Sequence, residues 1–279
     1  MRIHVALGVG VLLALGACSS SLPSEDVLPK TSTHTAAAAM TPTPTPSPTP
    51  TTTAPAQGAL AGYTISVDAG HNSGNYHAPD QVNALVPDGR GGMKACDTTG
   101  TSTNDGYRES AFTWDVALRV RAGLEANDAT VVMPRTDDNS VGPCVDYRGN
   151  FPAANGADVA ISIHANGSEN PATRGFFILL ADPPLAGPTI AQHSRDLADA
   201  IIVEMQAAGF PISPYGAITP RDDIAGLNFN KVPAVLVELG EMRNREDAEL
   251  MKSEAGRQRY ADALVASLLR WADTHQPAQ

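Results

Sequence analysis

The chain has 279 residues, 42% of them hydrophobic and 18% charged, with a formal net charge of −11. That acidity gives no general electrostatic reason to seek nucleic acid or an anionic membrane, and 5% aromatics is too few for a base-stacking platform. No apolar run reaches the roughly 20 residues of a spanning helix, so a processed leader is expected rather than an integral membrane protein.

Residues 1–17 read as a signal peptide: Arg2 makes a positive start and residues 5–15 are apolar over the length of an export signal. Leu15-Gly16-Ala17-Cys18, followed by three serines, resembles the bacterial lipobox. That resemblance implies Cys18 as a lipid anchor, each buried acyl methylene contributing ~0.8 kcal/mol. Ordinary cleavage beside an unmodified Cys18 is the alternative; it wants a small residue where Leu15 stands. The protein is then exported, with the cell envelope and the outer face of the inner membrane as its expected place.

Residues 18–61 are dominated by Thr, Pro, Ala and Ser, with Thr-Pro alternation from Thr41 to Pro50. Proline at every second position removes donors and fixes φ, which predicts a disordered, extended tether. At ~3.1 Å per residue its reach is on the order of 100 Å. Residues 62–275 remain as one folded domain, without an internal repeat.

In that domain, apolar runs bounded by Gly, Asp, Pro or Asn predict strands at 64–68, 130–133, 159–164, 176–180 and 234–238. Helices are predicted at 110–126 (Phe112, Val116, Val120, Leu124), 193–208 (Leu197, Ile201, Met205) and 254–272 (Tyr260, Leu264, Leu268), each with apolar residues four apart. Strands alternating with helices imply a single α/β domain: a twisted, mostly parallel sheet with helices on both faces. Residues 72–107 break the rhythm. They are rich in Gly, Asp, Asn and Pro, as functional or locally restrained loops are. Cys96 lies there, and Cys96 with Cys144 makes an even pair in an exported domain, so a disulfide is the default. Closing about fifty residues, it would contribute roughly 4 kcal/mol. A metal or redox pair is disfavoured by the wide spacing.

Four polar residues fall where strands end or a helix begins: His71, His164, Glu238 and Glu109. Ligand sites of open α/β sheets lie beyond the carboxyl ends of the strands, so all four could converge there. Two His and one Glu suit hydrolytic zinc with a position left for water, and another carboxylate can move the water's proton. As single residues each has a plainer reading: a loop histidine, a helix-terminal acid for Glu109, or an arginine-paired carboxylate for Glu238.

The motifs around them resemble the zinc-dependent N-acetylmuramoyl-L-alanine amidases of bacterial peptidoglycan. Asp68-Ala69-Gly70-His71 is similar to the family's D-x-G-H opening. Arg108-Glu109-Ser110 resembles its second-ligand segment. Residues 157–166, ADVAISIHAN, resemble its A-D-hydrophobic-S-I-H-x-N segment. Residues 232–240, VPAVLVELG, with Asn244 and Asp247, resemble its glutamate segment. The likeness spans residues 62–272. It implies one Zn²⁺ on His71, Glu109 and His164, Glu238 as general base, and cleavage of the amide between muramic acid and L-alanine. Glu238 is preferred to Glu241 because it ends the strand in register with the motif.

The chain departs from that family in two places: the link 72–107 is longer, a candidate flap over the site, and Glu241 stands where an aromatic is common. Asn166 is read either as a substrate contact or as a shaper of its loop. Asp68 is read as capping or orienting a neighbour. His77 is read as a loop residue, His193 as the start of a helix, and Arg135 and Arg148 as structural. The expected partners are peptidoglycan or muropeptides, with no nucleic acid, no membrane contact beyond the anchor, and a monomer. A zinc peptidase of the stem peptide and a non-catalytic muropeptide-binding lipoprotein are the alternative functions.

Overall fold

A computed structural model describes residues 57–277; the expected leader, Cys18 and the tether up to residue 56 lie outside the described residues. The elements run β1 (Thr64–Ala69), α1 (Pro79–Val82), β2 (Leu85–Pro87), β3 (Met93–Ala95), α2 (Glu109–Glu125), β4 (Thr130–Val132), α3 (Val145–Ala154), β5 (Val159–Asn166) and β6 (Phe177–Ala181). They continue with α4 (Pro188–Ala207), β7 (Ile218–Arg221), α5 (Ala225–Asn228), β8 (Ala234–Glu241), α6 (Arg245–Lys252) and α7 (Glu254–Ala272).

Six strands form one sheet in the order β4-β1-β5-β8-β6-β7. The pairs β1–β4, β1–β5 and β5–β8 are parallel, as is β6–β7, while β6 pairs antiparallel with β8. The sheet is thus mostly parallel, as expected, with its last two strands reversed.

Alternation along the strands decides what each face can do. Ile65, Val67 and Ala69 of β1, Val159, Ile161 and Ile163 of β5, and Val235 and Val237 of β8 meet Phe112 and Val116 of α2, Leu197 and Ile201 of α4, and Leu264 and Leu268 of α7. Burying such a side chain contributes about 1.5–3 kcal/mol, so this face carries the fold. The intervening residues point to the other face, under α3 and α5. Ala160, Ala234 and Leu236 join a small cluster there with Phe177, Leu179 and Leu227. The remaining positions on it are polar: Ser66, Asp68, Ser162, His164 and Glu238.

Several expectations need correcting. The packed chain begins before residue 62: Leu60 is fully buried, with its N–H on the Asn127 carbonyl. The helix expected at 193 starts at Pro188, so His193 lies inside α4, its ring edge-on to His275 at 4.6 Å. β8 continues to Glu241, so Glu238 does not end it. The stretch 72–107 is no open loop. It contains α1 and the β2–β3 hairpin, with Ala95 opposite Leu85. The Cys96–Cys144 disulfide ties it to the start of α3. Arg90 donates to the Asp222 and Pro183 carbonyls at 2.8 and 2.7 Å, and Lys94 to the Asp223 carbonyl at 2.6 Å, fastening the hairpin to the loops after β6 and β7.

Candidate active site

The site starts at the sharp end of β1. The Gly70 N–H donates to the Ile163 carbonyl at 2.9 Å, and His71 turns into the left-handed region with φ 59°, uncommon for a non-glycine residue. Two buried arginines hold this turn. Arg135 Nε donates to the Ala69 carbonyl at 3.0 Å. Arg148 donates to the Ala69 carbonyl at 2.8 Å and the His71 carbonyl at 2.9 Å. Arg148 also pairs with Asp68 and, at 3.2 Å, with Asp97. Ser162 Oγ donates to the other Asp68 oxygen at 2.7 Å. Burial would raise the Asp68 carboxyl, but Arg148 outweighs it, helped by His164 and Ser162, and holds it below the usual range. Asp68 therefore orients neighbours, and both arginines are structural, as read from the sequence.

The three expected ligand residues converge. His71 Nε2 lies 3.2 Å from Glu109 Oε1, and His164 Nδ1 lies 3.1 Å from the same oxygen. The imidazole rings stand at 86° with centroids 4.9 Å apart. One donor atom from each residue falls within 4.8 Å of the others. Each group is aimed by a neighbour. His71 Nδ1 faces the Thr98 carbonyl at 3.2 Å and Asp97 at 3.4 Å, which leaves Nε2 for the cluster. Glu109, 3% exposed and first residue of α2, accepts from the Thr101 N–H at 2.8 Å and the Ala165 N–H at 3.1 Å.

Two glycines make the convergence possible. A Cβ on Gly70 would fall 2.3 Å from His164 Cε1. One on Gly100, at φ 72°, would fall 2.7 Å from Glu109 Oε2 and 2.8 Å from His71 Cδ2. The charges reinforce one another. Burial would lower the His71 imidazolium, yet the Glu109 charge and Asp97 push it up to about 10. Burial likewise opposes ionisation of Glu109, but the two imidazoles hold it well below the usual carboxylate range. This protein-only cluster thus stabilises positive charge beside Glu109. Its donor set, two ring nitrogens and a carboxylate, is one that zinc takes.

Glu238 is the register partner of His164 on β5 and of Phe177 on β6. Its Oε2 is sealed from solvent and has no hydrogen-bond partner among the described residues. Burial, then the charges of Glu109 and Glu241, push its carboxyl well above the ordinary value; His71 and Arg221 oppose this. Glu241, the rival, is fully buried and committed: it accepts from Asn166 Nδ2 at 2.7 Å and from the Ser168 N–H at 2.8 Å. Asn166 therefore spends an amide hydrogen on Glu241. His77 is exposed at the end of a 3₁₀ turn. Asp97, Thr98 and Gly100 carry no motif in the sequence, and Gly70 is read there only as part of the D-x-G-H opening. The positive-φ glycine and the long-range contacts that give them meaning are visible only in the fold.

Fold and site together define a hydrolase of α/β architecture, with a donor cluster that suits a metal ion beside a buried carboxylate. The Amidase_3 family, described as N-acetylmuramoyl-L-alanine amidase, matches residues 65–270; the chain belongs to this family and is an amidase of that kind. It is 41% identical over 228 residues to N-acetylmuramoyl-L-alanine amidase Rv3717 of Mycobacterium tuberculosis, covering 79% of this chain and 90% of that protein. It is similar to the crystal structure of the N-acetylmuramyl-L-alanine amidase Ami1 from Mycobacterium smegmatis, with a TM-score of 0.74 and 42% identity over 77% of this chain and 99% of that one. The Mycobacterium abscessus Ami1 structure, in its apo form, matches with a TM-score of 0.70 and 38% identity, covering 76% of this chain and 99% of that one.

Proposed function

We propose that the protein is an exported, tethered zinc amidase that releases stem peptides from peptidoglycan or its muropeptide fragments. His71, Glu109 and His164 hold the ion and Glu238 acts as general base. The observation that carries this reading is the unpartnered Oε2 of Glu238 beside the His–Glu–His cluster. A buried carboxylate oxygen without a donor is costly, and a catalytic proton acceptor gives it a reason to be there.

Zinc at these three donors would supply Lewis-acid polarisation of the scissile carbonyl and lower the pKa of the attacking water. His71 and His164 present ring nitrogens, with Asp97 and Thr98 fixing the orientation of His71. Glu238 takes the proton of the water at its carboxylate, as the water oxygen bonds to the lactyl carbonyl carbon. It then delivers that proton to the alanine nitrogen as the C–N bond breaks. The products are the lactyl carboxylate on the sugar and a peptide with a free N-terminal alanine. Asn166 and Glu241 hold the loop after β5. The anchor at Cys18 and the tether, read from sequence, would keep this activity in the envelope.

The test is metal content and turnover together, for the wild type and for His71→Ala, Glu109→Ala and His164→Ala. One zinc per chain, lost with activity in each variant, supports the reading. Full activity in a zinc-free variant contradicts it.

A further inference from the structure

Tyr215 is 52% exposed, yet it is held from two sides. Its ring meets Phe177 edge-to-face, with centroids 5.5 Å apart, and its hydroxyl lies 3.2 Å from Ser168 Oγ. Its backbone is equally restrained. Tyr215 sits in the turn Ser213-Pro214-Tyr215-Gly216, closed by the Gly216 N–H on the Ser213 carbonyl at 3.0 Å. Tyr215 N–H donates to Ser213 Oγ at 3.3 Å. Gly216, at φ 93°, lets the chain leave toward β7.

Both supports lead to the catalytic face. Phe177 is the register partner of Glu238, and paired residues on neighbouring antiparallel strands share a face. Ser168 is held through its N–H by Glu241, which also holds Asn166 two residues past His164. Neighbouring strands lie ~4.8 Å apart, so the row His164, Glu238, Phe177 runs outward from the cluster, and Tyr215 continues it one ring contact past Phe177, about two strand spacings beyond Glu238. Only two atoms, the lactyl α-carbon and the ether oxygen, separate the scissile carbonyl from the sugar ring, so that ring falls between the cluster and the Tyr215 plane.

We infer that Tyr215 is a specificity-determining residue that stacks on the sugar ring of the N-acetylmuramoyl group. The inference rests on the amidase reading above. The sugar is the occupant because it offers the substrate's largest rigid apolar surface, the C–H face of a pyranose, to an exposed aromatic plane. The alanine methyl is too small to cover such a ring. Ordinary exposed tyrosines are free to change rotamer; this one is pinned, so its plane is presented without an ordering cost at binding.

Steady-state kinetics of the full chain on two substrates test this: an N-acetylmuramoyl peptide, and the same peptide carrying only the lactyl group. Tyr215→Ala is expected to raise KM for the sugar-bearing substrate about five- to tenfold, the size of one lost ring contact. Its kcat should stay within about twofold, and the lactyl peptide should be unaffected. Tyr215→Phe keeps the plane and the Phe177 contact and loses only the Ser168 hydrogen bond, so its KM should lie much nearer the wild type than that of Tyr215→Ala. Tyr215→Leu fills the place beside Phe177 without an aromatic face and should repeat the alanine result, separating stacking from folding. An equal loss on both substrates, or no loss on either, overturns the inference. Cleavage of neither substrate by the wild type would strike the amidase reading itself, and this one with it.

Discussion

His164 and Glu238 are register partners on the neighbouring parallel strands β5 and β8, with their side chains on the same polar face. The strand pairing thus sets the distance between a member of the cluster and the proposed base, so no flexible loop has to bring them together.

Glu238→Gln should therefore leave the cluster intact and remove only the proton carrier. The expected result is a turnover loss of about 10²–10⁴-fold, as for removal of a general base, with zinc content unchanged by elemental analysis. Unaltered turnover would mean that another group carries the proton.

The same substitution should stabilise the metal-free protein at neutral pH. Burial and the Glu109 charge raise the Glu238 carboxyl in the folded state. A raised carboxyl contributes stability that is fully present below its unfolded pKa and lost as pH rises through the folded pKa. Glutamine stays neutral and avoids that loss. Glu238→Gln should unfold higher than wild type at pH 8, by about 2–4 °C for each kcal/mol recovered, and the gap should close toward pH 4. Thermal melts in chelator at both pH values check this, and a gap that widens toward acid would contradict it.

Arg148→Met should be severely destabilising. It strips Asp68 and Asp97 of their shared cation and the His71 carbonyl of a donor. Breaking a buried ion pair from one side costs about 3–5 kcal/mol, measurable as a fall in the midpoint of urea unfolding. A change below about 1 kcal/mol, the level of a surface pair, would show that Arg148 is not the clamp described.

Gly70→Ala tests the close approach of backbone and ligand. The new Cβ would meet the His164 ring, so the ring must move while the apolar face stays packed. Zinc affinity should drop about 10–100-fold, the range for disturbing a ligand's support, at nearly unchanged Tm. Competition with a chromophoric chelator measures it, and unchanged affinity would place the ring elsewhere.

Much of this was legible in the chain, for physical reasons. The aliphatic runs of β1, β5 and β8 and the four-residue spacing in α2 and α7 report burial directly, since burial on the sheet and helices is what created them. The four candidate residues were legible because each sits in a motif, His71 just past β1, Glu109 at the start of α2, and His164 and Glu238 within apolar runs. The rest depended on distant partners. β7 reads Ile-Thr-Pro-Arg and is only partly buried at the sheet edge, so it lacks an apolar run. α3 contains Gly149 and Pro152, which argue against a helix locally. α6 is mostly polar and is set by the Asn244 side chain, which caps the N–H groups of Glu246 and Asp247. The reversal of β6 carries no local signal. The extension of β8 past Glu238 was hidden by Gly240 and by two glutamates, one of which, Glu241, is buried on hydrogen bonds from Asn166 and Ser168.

The proposed reaction of this His–Glu–His site with Glu238 and a bound metal is cleavage of the bond between the lactyl group and the first alanine. Mass spectrometry of muropeptides incubated with the protein, with and without a zinc chelator, tests it most directly. The expected products are free stem peptides beginning with an unblocked alanine, absent with the chelator and restored by added zinc. Cuts within the stem peptide, or alanine release that persists after the metal is stripped, would contradict it.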